Sequence, residues 1–163
     1  MKIKTLLVNV FIVLAILSAC GGQINQGQSA QTCADIKSVV EAFYAANDAA
    51  QYTQSLQYVT DDVAIITWAD GANGYHMNMR SVVGNTHIQS FLEKPGLKRT
   101  SNGPNLPNYT MQEIQISEGK MSFKLLPDRL HPNKRPYNPY DVEVFFSGCK
   151  IELIKVVERV TWL

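Results

Sequence analysis

Apolar side chains recur at helical spacing near the start of the folded part of the chain. They follow the i, i+3, i+4, i+7, i+8 pattern: Ile36, Val39, Val40, Phe43 and Tyr44. That spacing gathers them on one face and predicts an amphipathic helix that runs to about Asp48 or Ala50, and Thr32 followed by Asp35 resembles a capping box at its start. Such a helix needs an apolar surface to cover. We expect this surface from a strand over residues 63–68, which follows the acidic pair Asp61 and Asp62 at the turn into it.

Further apolar patterns predict the remaining elements. The predicted helices after the first cover residues 53–59 and 86–94. The predicted strands after the first cover residues 75–83, 109–117, 120–126, 141–146 and 149–162. In the last strand the apolar phase shifts between Leu153 and Ile154, which predicts a β-bulge and a bent sheet. The order of the elements indicates an α+β fold in which a curved antiparallel sheet covers the helices.

The first residues have the pattern of an export signal. Lys2 and Lys4 precede an apolar run that ends in Leu-Ser-Ala-Cys at residues 17–20. This run is short for a transmembrane helix, and basic residues followed by an apolar core and small residues are typical of a signal peptide. The last four residues resemble the bacterial lipobox. We therefore expect a signal peptide over residues 1–19 and a lipidated Cys20, carrying palmitate-like chains, as an anchor in the bilayer.

Residues 20–32 are predicted to link this anchor to one domain, residues 33–163. The linker is rich in Gly, Gln and Ser and has too little apolar surface to offset the entropy of ordering it. The expected location is the bacterial cell envelope, on the outer membrane or the cell surface, with the domain outside the cytoplasm.

Composition excludes several classes of function. The chain is 45% hydrophobic and 18% charged, which is typical of a globular protein. Without Lys2 and Lys4, the 15 Lys and Arg residues become 13 against 14 Asp and Glu, so no basic face for nucleic acid is expected. The three histidines have no metal-ligand spacing, and we expect neither a metal nor another cofactor.

Two cysteines remain in the predicted domain, Cys33 before the first helix and Cys149 before the last strand. Outside the cytoplasm such a pair favours a disulfide, which would join the helix to the sheet. The alternative is two unpaired, half-buried thiols.

Three segments carry a resemblance to a known family. They are VVEAFYAAN at residues 39–47, VTDDV at residues 59–63 and GNTHIQSFL at residues 84–92. In this order they resemble the nuclear transport factor 2-like superfamily and its SnoaL-like group. Two departures are Ala50-Gln51, where the family usually has Gly-Asp, and a proline-rich insertion over residues 127–140. The insertion is either a lid that offers basic side chains to an anion or a long, solvated connection.

The resemblance implies a cone-shaped, strongly curved antiparallel sheet around about three helices, with a pocket at its open end. It suggests these ligand-binding side chains: Tyr44, Ile65, Thr67, His76 and Tyr109. The aspartate base and the tyrosine of the family's ketosteroid isomerases fall at Thr67 and Phe43, so that mechanism is not expected.

Two functions stay open at this point. The first is a membrane-anchored domain that binds a small, largely apolar molecule or forms a homodimer, without catalysis. The second is a pocket enzyme of the dehydratase, isomerase or hydrolase type, in which His76 or a pocket carboxylate acts as general base.

Overall fold

The computed structural model describes residues 35–70, 76–101, 103–133 and 135–160, without the side chains of residues 76–79. These residues belong to one compact unit, Thr32–Leu163. The helices are α1 (Ile36–Asp48), α2 (Tyr52–Ser55, followed by the 3-10 turn Leu56–Tyr58) and α3 (Asn85–Leu92). The strands are β1 (Val59–Asp70), β2 (His76–Val83), β3 (Tyr109–Ser117), β4 (Lys120–Pro127), β5 (Tyr140–Ser147) and β6 (Lys150–Arg159).

Helix α1 packs as its sequence predicts, but it begins at Ile36 with Asp35, not Thr32, as its N-cap. The Asp35 carboxylate caps it by accepting a hydrogen bond from the Ser38 backbone N–H at 3.2 Å. Val40, Phe43 and Tyr44 on the apolar face are fully buried. The helix therefore covers the sheet through the face that the spacing indicated.

The six strands form one open sheet in the order β2-β1-β6-β5-β4-β3. This confirms the α+β fold class, with one difference: β1 and β6 run parallel, so the sheet is mixed rather than wholly antiparallel. The reason is the connection after β2. Helix α3 and residues 93–108 carry the chain from one edge of the sheet to the other, so that β3 runs in the direction of β2. The three antiparallel turns that follow then bring β6 alongside β1 in the parallel sense.

The sequence predicts Asp61 and Asp62 before the first strand, whereas the structure places them within it. Strand β1 begins at Val59, and its register with β6 shifts between Val59 and Ala64. The pair occupies this irregular stretch, where the Asp61 carboxylate accepts a hydrogen bond from Asn85 Nδ2 at 3.0 Å. The polar residues suggested a turn because the irregular stretch, like a turn, leaves side chains exposed.

The predicted β-bulge is present in β6. Phe146 pairs with Ile151 and Phe145 pairs with Leu153, which leaves Glu152 as the extra residue. Beyond it, Ile154 and Val156 return to the covered face with Val142 and Val144. The core lies between this face and the helices, and its fully buried side chains include Phe43, Tyr44, Val63, Ile65, Ile88, Leu92, Leu97, Met121, Leu125 and Ile154.

Candidate functional site

A short segment after α3 fills the space where the resemblance places a pocket. This mouth segment is Pro95–Leu97. The Tyr44 hydroxyl donates a hydrogen bond to the Gly96 carbonyl oxygen at 2.6 Å, and Asn47 Nδ2 donates to the Leu97 carbonyl oxygen at 3.2 Å. Leu97 itself is fully buried. The mouth segment is therefore part of the core, and these two hydrogen bonds hold it to α1.

Two predicted ligand-binding residues consequently lie in the core. Tyr44 and Ile65 are fully buried and line neither of the two clefts described below. Burial raises the pKa of the Tyr44 hydroxyl, which stays protonated and serves as a hydrogen-bond donor to the mouth segment.

The chain after the mouth segment is held by the end of α1. Asp48 Oδ1 accepts from the Arg99 backbone N–H at 2.7 Å, and Asp48 Oδ2 accepts from Arg99 Nε at 2.8 Å. A carboxylate is unfavourable at a helix C-terminus, and these charge-assisted bonds offset that cost. Asp48 thereby fixes the start of residues 98–108, which form one wall of a cleft.

This cleft, here called the tyrosine cleft, has a volume of about 300 Å³. Its lining residues are Glu93, Pro95, Lys98, Thr100, Ser101, Leu106, Pro107, Tyr109, Tyr137 and Tyr140. The rings of Tyr109 and Tyr140 meet edge to face, with centroids 5.3 Å apart. The cleft thus offers flat aromatic and proline walls with a few polar groups between them.

Two tyrosines of the cleft, Tyr109 and Tyr140, keep their protons at neutral pH. Burial raises the pKa of Tyr140 strongly, and the neighbouring Tyr109 and Glu158 add to the shift. Burial also raises the pKa of Tyr109. A phenol whose pKa lies above its usual value of about 10 keeps its proton. These hydroxyls can therefore donate to an oxygen of a ligand but do not act as bases.

Tyr137 and Tyr140 come from the proline-rich insertion, which packs against residues 98–108. Asp128 Oδ1 accepts from the Asn108 backbone N–H at 3.0 Å, and the Tyr137 hydroxyl donates to the Asn105 carbonyl oxygen. Arg129, one of the basic side chains of this insertion that the lid hypothesis would offer to an anion, donates instead to the Leu106 carbonyl oxygen. Sequence reasoning weighed the basic residues of this insertion and missed the tyrosines. The sequence feature that could have indicated these tyrosines was the presence of aromatic residues in a long irregular loop.

A second cleft lies beside the first and shares Pro95 and Tyr140 with it. This basic cleft measures about 330 Å³ and is lined by Thr67, Trp68, Ala69, Arg80, Lys94, Pro95, Tyr140, Val156 and Glu158. Thr67, a predicted ligand-binding residue, therefore lies here, whereas Tyr109 lies in the tyrosine cleft. The structure separates the two residues into neighbouring clefts.

The remaining predicted site residues lie at or beyond the limits of the described part of the chain. His76 is the first residue of β2, but its side chain is not described. Cys149 lies half-buried in the turn between β5 and β6. Cys20 and Cys33 fall outside the described residues, so lipidation and the disulfide remain predictions.

The outer face of the sheet carries a groove that is lined mostly by polar and charged side chains. Trp68 and Val157 line this groove, which has a volume of about 410 Å³. Beside it, Arg159 Nε donates to Asp141 Oδ2 at 2.7 Å, and Arg159 also pairs with Asp70. The charges on this face are thus arranged as neighbouring opposite pairs.

Within the described ranges, no three His, Cys, Asp or Glu side chains group closely enough to hold a metal ion. Over the same ranges, no helix has the length and apolar character needed to span a membrane.

No protein-family model matches the chain, and no curated protein matches it. Solved structures are similar to it. A candidate ketosteroid isomerase from Kribbella flavida has a TM-score of 0.51 and 8% identity, over 78% of this chain and 80% of its own. A protein of unknown function with a cystatin-like fold from Methylobium petroleophilum has a TM-score of 0.51 and 12% identity, over 78% of each chain.

A nuclear transport factor 2-like protein of unknown function from Burkholderia xenovorans has a TM-score of 0.50 and 15% identity, over 78% of this chain and 85% of its own. At such identities the likeness shows the fold and nothing finer. The chain has the nuclear transport factor 2-like fold, which confirms the resemblance at that level. The fold is shared by proteins of many functions, so the function has to be argued from the clefts.

Proposed function

We propose that this protein is a lipid-anchored envelope protein whose domain binds a small, largely apolar molecule in the tyrosine cleft. The observation that carries the proposal is the convergence of Tyr109, Tyr137 and Tyr140 on one cavity of about 300 Å³. That volume lies at the lower end of the range for small-molecule sites.

The walls of the cleft define the chemistry of its ligand. Aromatic rings and the prolines Pro95 and Pro107 favour a flat, apolar body, which gains free energy by leaving water. The protonated Tyr109 hydroxyl favours an oxygen acceptor on that body, whereas the Tyr137 hydroxyl already donates to Asn105. A protonated phenol cannot accept a proton from a substrate, which supports ligand binding rather than general-base catalysis by these groups.

Anchoring is argued from the sequence. The run that ends in Leu-Ser-Ala-Cys at residues 17–20 supports lipidation of Cys20, and the Gly-rich and Gln-rich linker supports a domain held close to the bilayer.

The proposed binding is tested with naphthalene-2-carboxamide, a flat, neutral probe with an oxygen acceptor. Calorimetric titration uses the full chain in detergent, with the detergent-only titration subtracted. We expect saturable binding that weakens about three- to tenfold in Tyr137→Ala and in Tyr109→Ala, since one aromatic contact contributes about 0.5–1.5 kcal/mol. Tyr58→Ala is the matched control, because Tyr58 lies outside the cleft lining. Equal affinity in all four proteins would contradict the proposal.

A second candidate role is homodimerisation through the outer face of the sheet. It is favoured by the groove beside Trp68 and Val157, where these two apolar side chains lie among charged side chains that a second copy could pair with. Sedimentation velocity of the full chain tests it. We expect a dimer that dissociates in Trp68→Arg, and a monomer at all concentrations of the unaltered chain would overturn this role.

A further inference from the structure

Two cations converge in the basic cleft. Arg80 lies on β2 opposite Thr67 of β1, and Lys94 follows α3 directly before the mouth segment. Both side chains line the same cavity of about 330 Å³. Although they come from different elements, the fold places their charges together.

The charges of Arg80 and Lys94 are not balanced by a carboxylate. Among the residues that the structure describes, neither forms an ion pair within 4.0 Å. Lys94 Nζ lies instead 3.6 Å from the centroid of the Phe91 ring. Burial lowers the pKa of Lys94, and the positive charge of Arg80 lowers it further. The two cations therefore repel each other in the unliganded cleft.

Glu158 is the acidic residue that lines the basic cleft, and it has another partner. Its carboxylate accepts a hydrogen bond from Asn138 Nδ2 at 2.8 Å. This bond holds the carboxylate on the side of the proline-rich insertion. Asn138 carries no charge and does not neutralise Glu158, so the Arg80, Lys94 and Glu158 side chains that line the cleft together leave one excess positive charge for an anion from solution.

We propose that Arg80 and Lys94 bind the carboxylate of an organic acid whose apolar body lies in the tyrosine cleft. The two clefts adjoin at Pro95 and Tyr140, which line both, so the proposal places one molecule across these two residues. A carboxylate near two cations forms charge-assisted hydrogen bonds and removes their mutual repulsion. The placement of the apolar body rests on the proposed function, whereas the anion site rests on Arg80 and Lys94.

The experiment compares two probes that differ only in charge. Naphthalene-2-carboxylate and naphthalene-2-carboxamide are titrated into the full chain in detergent, again with detergent-only titrations subtracted. We expect the carboxylate to bind roughly tenfold more tightly, because each partly exposed ion pair contributes modestly and two act together. Added sodium chloride should reduce this advantage without changing the affinity for the carboxamide.

Three variants test whether Arg80 and Lys94 cause the tighter binding of the carboxylate. In the double variant Arg80→Gln, Lys94→Gln we expect equal affinities for the two probes. Arg80→Lys keeps the charge and should retain most of the preference, and Lys150→Gln, at an exposed position in the far β5–β6 hairpin, should retain all of it. All variants are compared by their affinity for the carboxamide, which reports an intact tyrosine cleft.

The outcomes separate this inference from the proposed function. Equal affinities in the unaltered chain, or a preference that survives in the double variant, would overturn the anion site. Carboxylate binding that the double variant loses, in a chain that does not bind the carboxamide, would support the anion site and overturn the apolar site.

Discussion

Ala50 has a backbone conformation that L-amino acids rarely adopt. Its φ is +57°, and its N–H donates to the Asn47 carbonyl oxygen at 3.0 Å as the chain leaves α1. The resemblance places glycine at this position, and glycine adopts positive φ without steric cost. The strain at Ala50 follows from one missing glycine in an otherwise ordinary helix ending.

Ala50→Gly should therefore stabilise the protein. We expect the free energy of unfolding to rise by about 0.5–1 kcal/mol, because relief of about 1–2 kcal/mol of strain exceeds the entropy that glycine adds to the unfolded chain. Urea unfolding measures the change. The matched control is Ala45→Gly, at an exposed position inside α1, which should destabilise by about 1 kcal/mol. Destabilisation by both substitutions would show that Ala50 is not strained.

The sequence did not distinguish the roles of the individual tyrosines. Tyr44 and Tyr109 were both predicted to bind a ligand, but Tyr44 is buried and fastens the mouth segment, whereas Tyr109 lines the tyrosine cleft. Side-chain chemistry is the same in both cases. Only the position of residues 95–97, which are distant in sequence, decides which hydroxyl reaches a cavity.

At the scale of elements, the mouth segment replaces the expected deep pocket. Gly96 makes this packing possible: its φ is +88°, and a Cβ added there would lie 2.3 Å from Val156 Cγ1 and 3.3 Å from Tyr140 Cδ1. The segment therefore sits directly against the sheet, and the free space is divided into the two clefts beside it.

Gly96→Ala should destabilise the protein by more than about 2 kcal/mol, because it combines backbone strain with a clash against β6. The matched control is Gly119→Ala, whose φ is +67° but whose added Cβ meets nothing within 4 Å, so that only the backbone cost of about 1 kcal/mol is expected. Thermal and urea unfolding provide the comparison. Similar losses in both variants would mean that the mouth segment does not pack tightly against Val156.

At the scale of the whole molecule, the predicted disulfide should contribute to stability. The chain has three cysteines, Cys20, Cys33 and Cys149. With Cys20 acylated and the other two paired, thiol titration of the denatured protein should find no thiol before reduction and two after it. In the chain-entropy model a loop of about 100 residues contributes up to about 4.7 kcal/mol, so reduction should lower the free energy of unfolding markedly.

Cys149→Ser serves as the control for this titration, because it should expose one thiol, that of Cys33, before any reductant is added. Two reactive thiols in the unreduced, unaltered protein would end the disulfide hypothesis.

The sequence by itself determined the types and order of the elements, since periodicity is a local property that reports which face of a helix or strand is buried. It indicated the apolar face of α1 and the bounds of β3, Tyr109–Ser117, as the structure has them. It also indicated the bulge in β6, because a phase shift in the apolar pattern is visible within one strand.

Only the tertiary structure decided the parallel pairing of β1 with β6 and the division of the pocket by the mouth segment. Strand direction depends on how far a connection travels across the sheet, and a cavity depends on which distant segment fills it. Arg80, Lys94 and the three tyrosines of the cleft come from separate elements, so their proximity has no local signal. The sequence supplied these residues, and the fold brought them together.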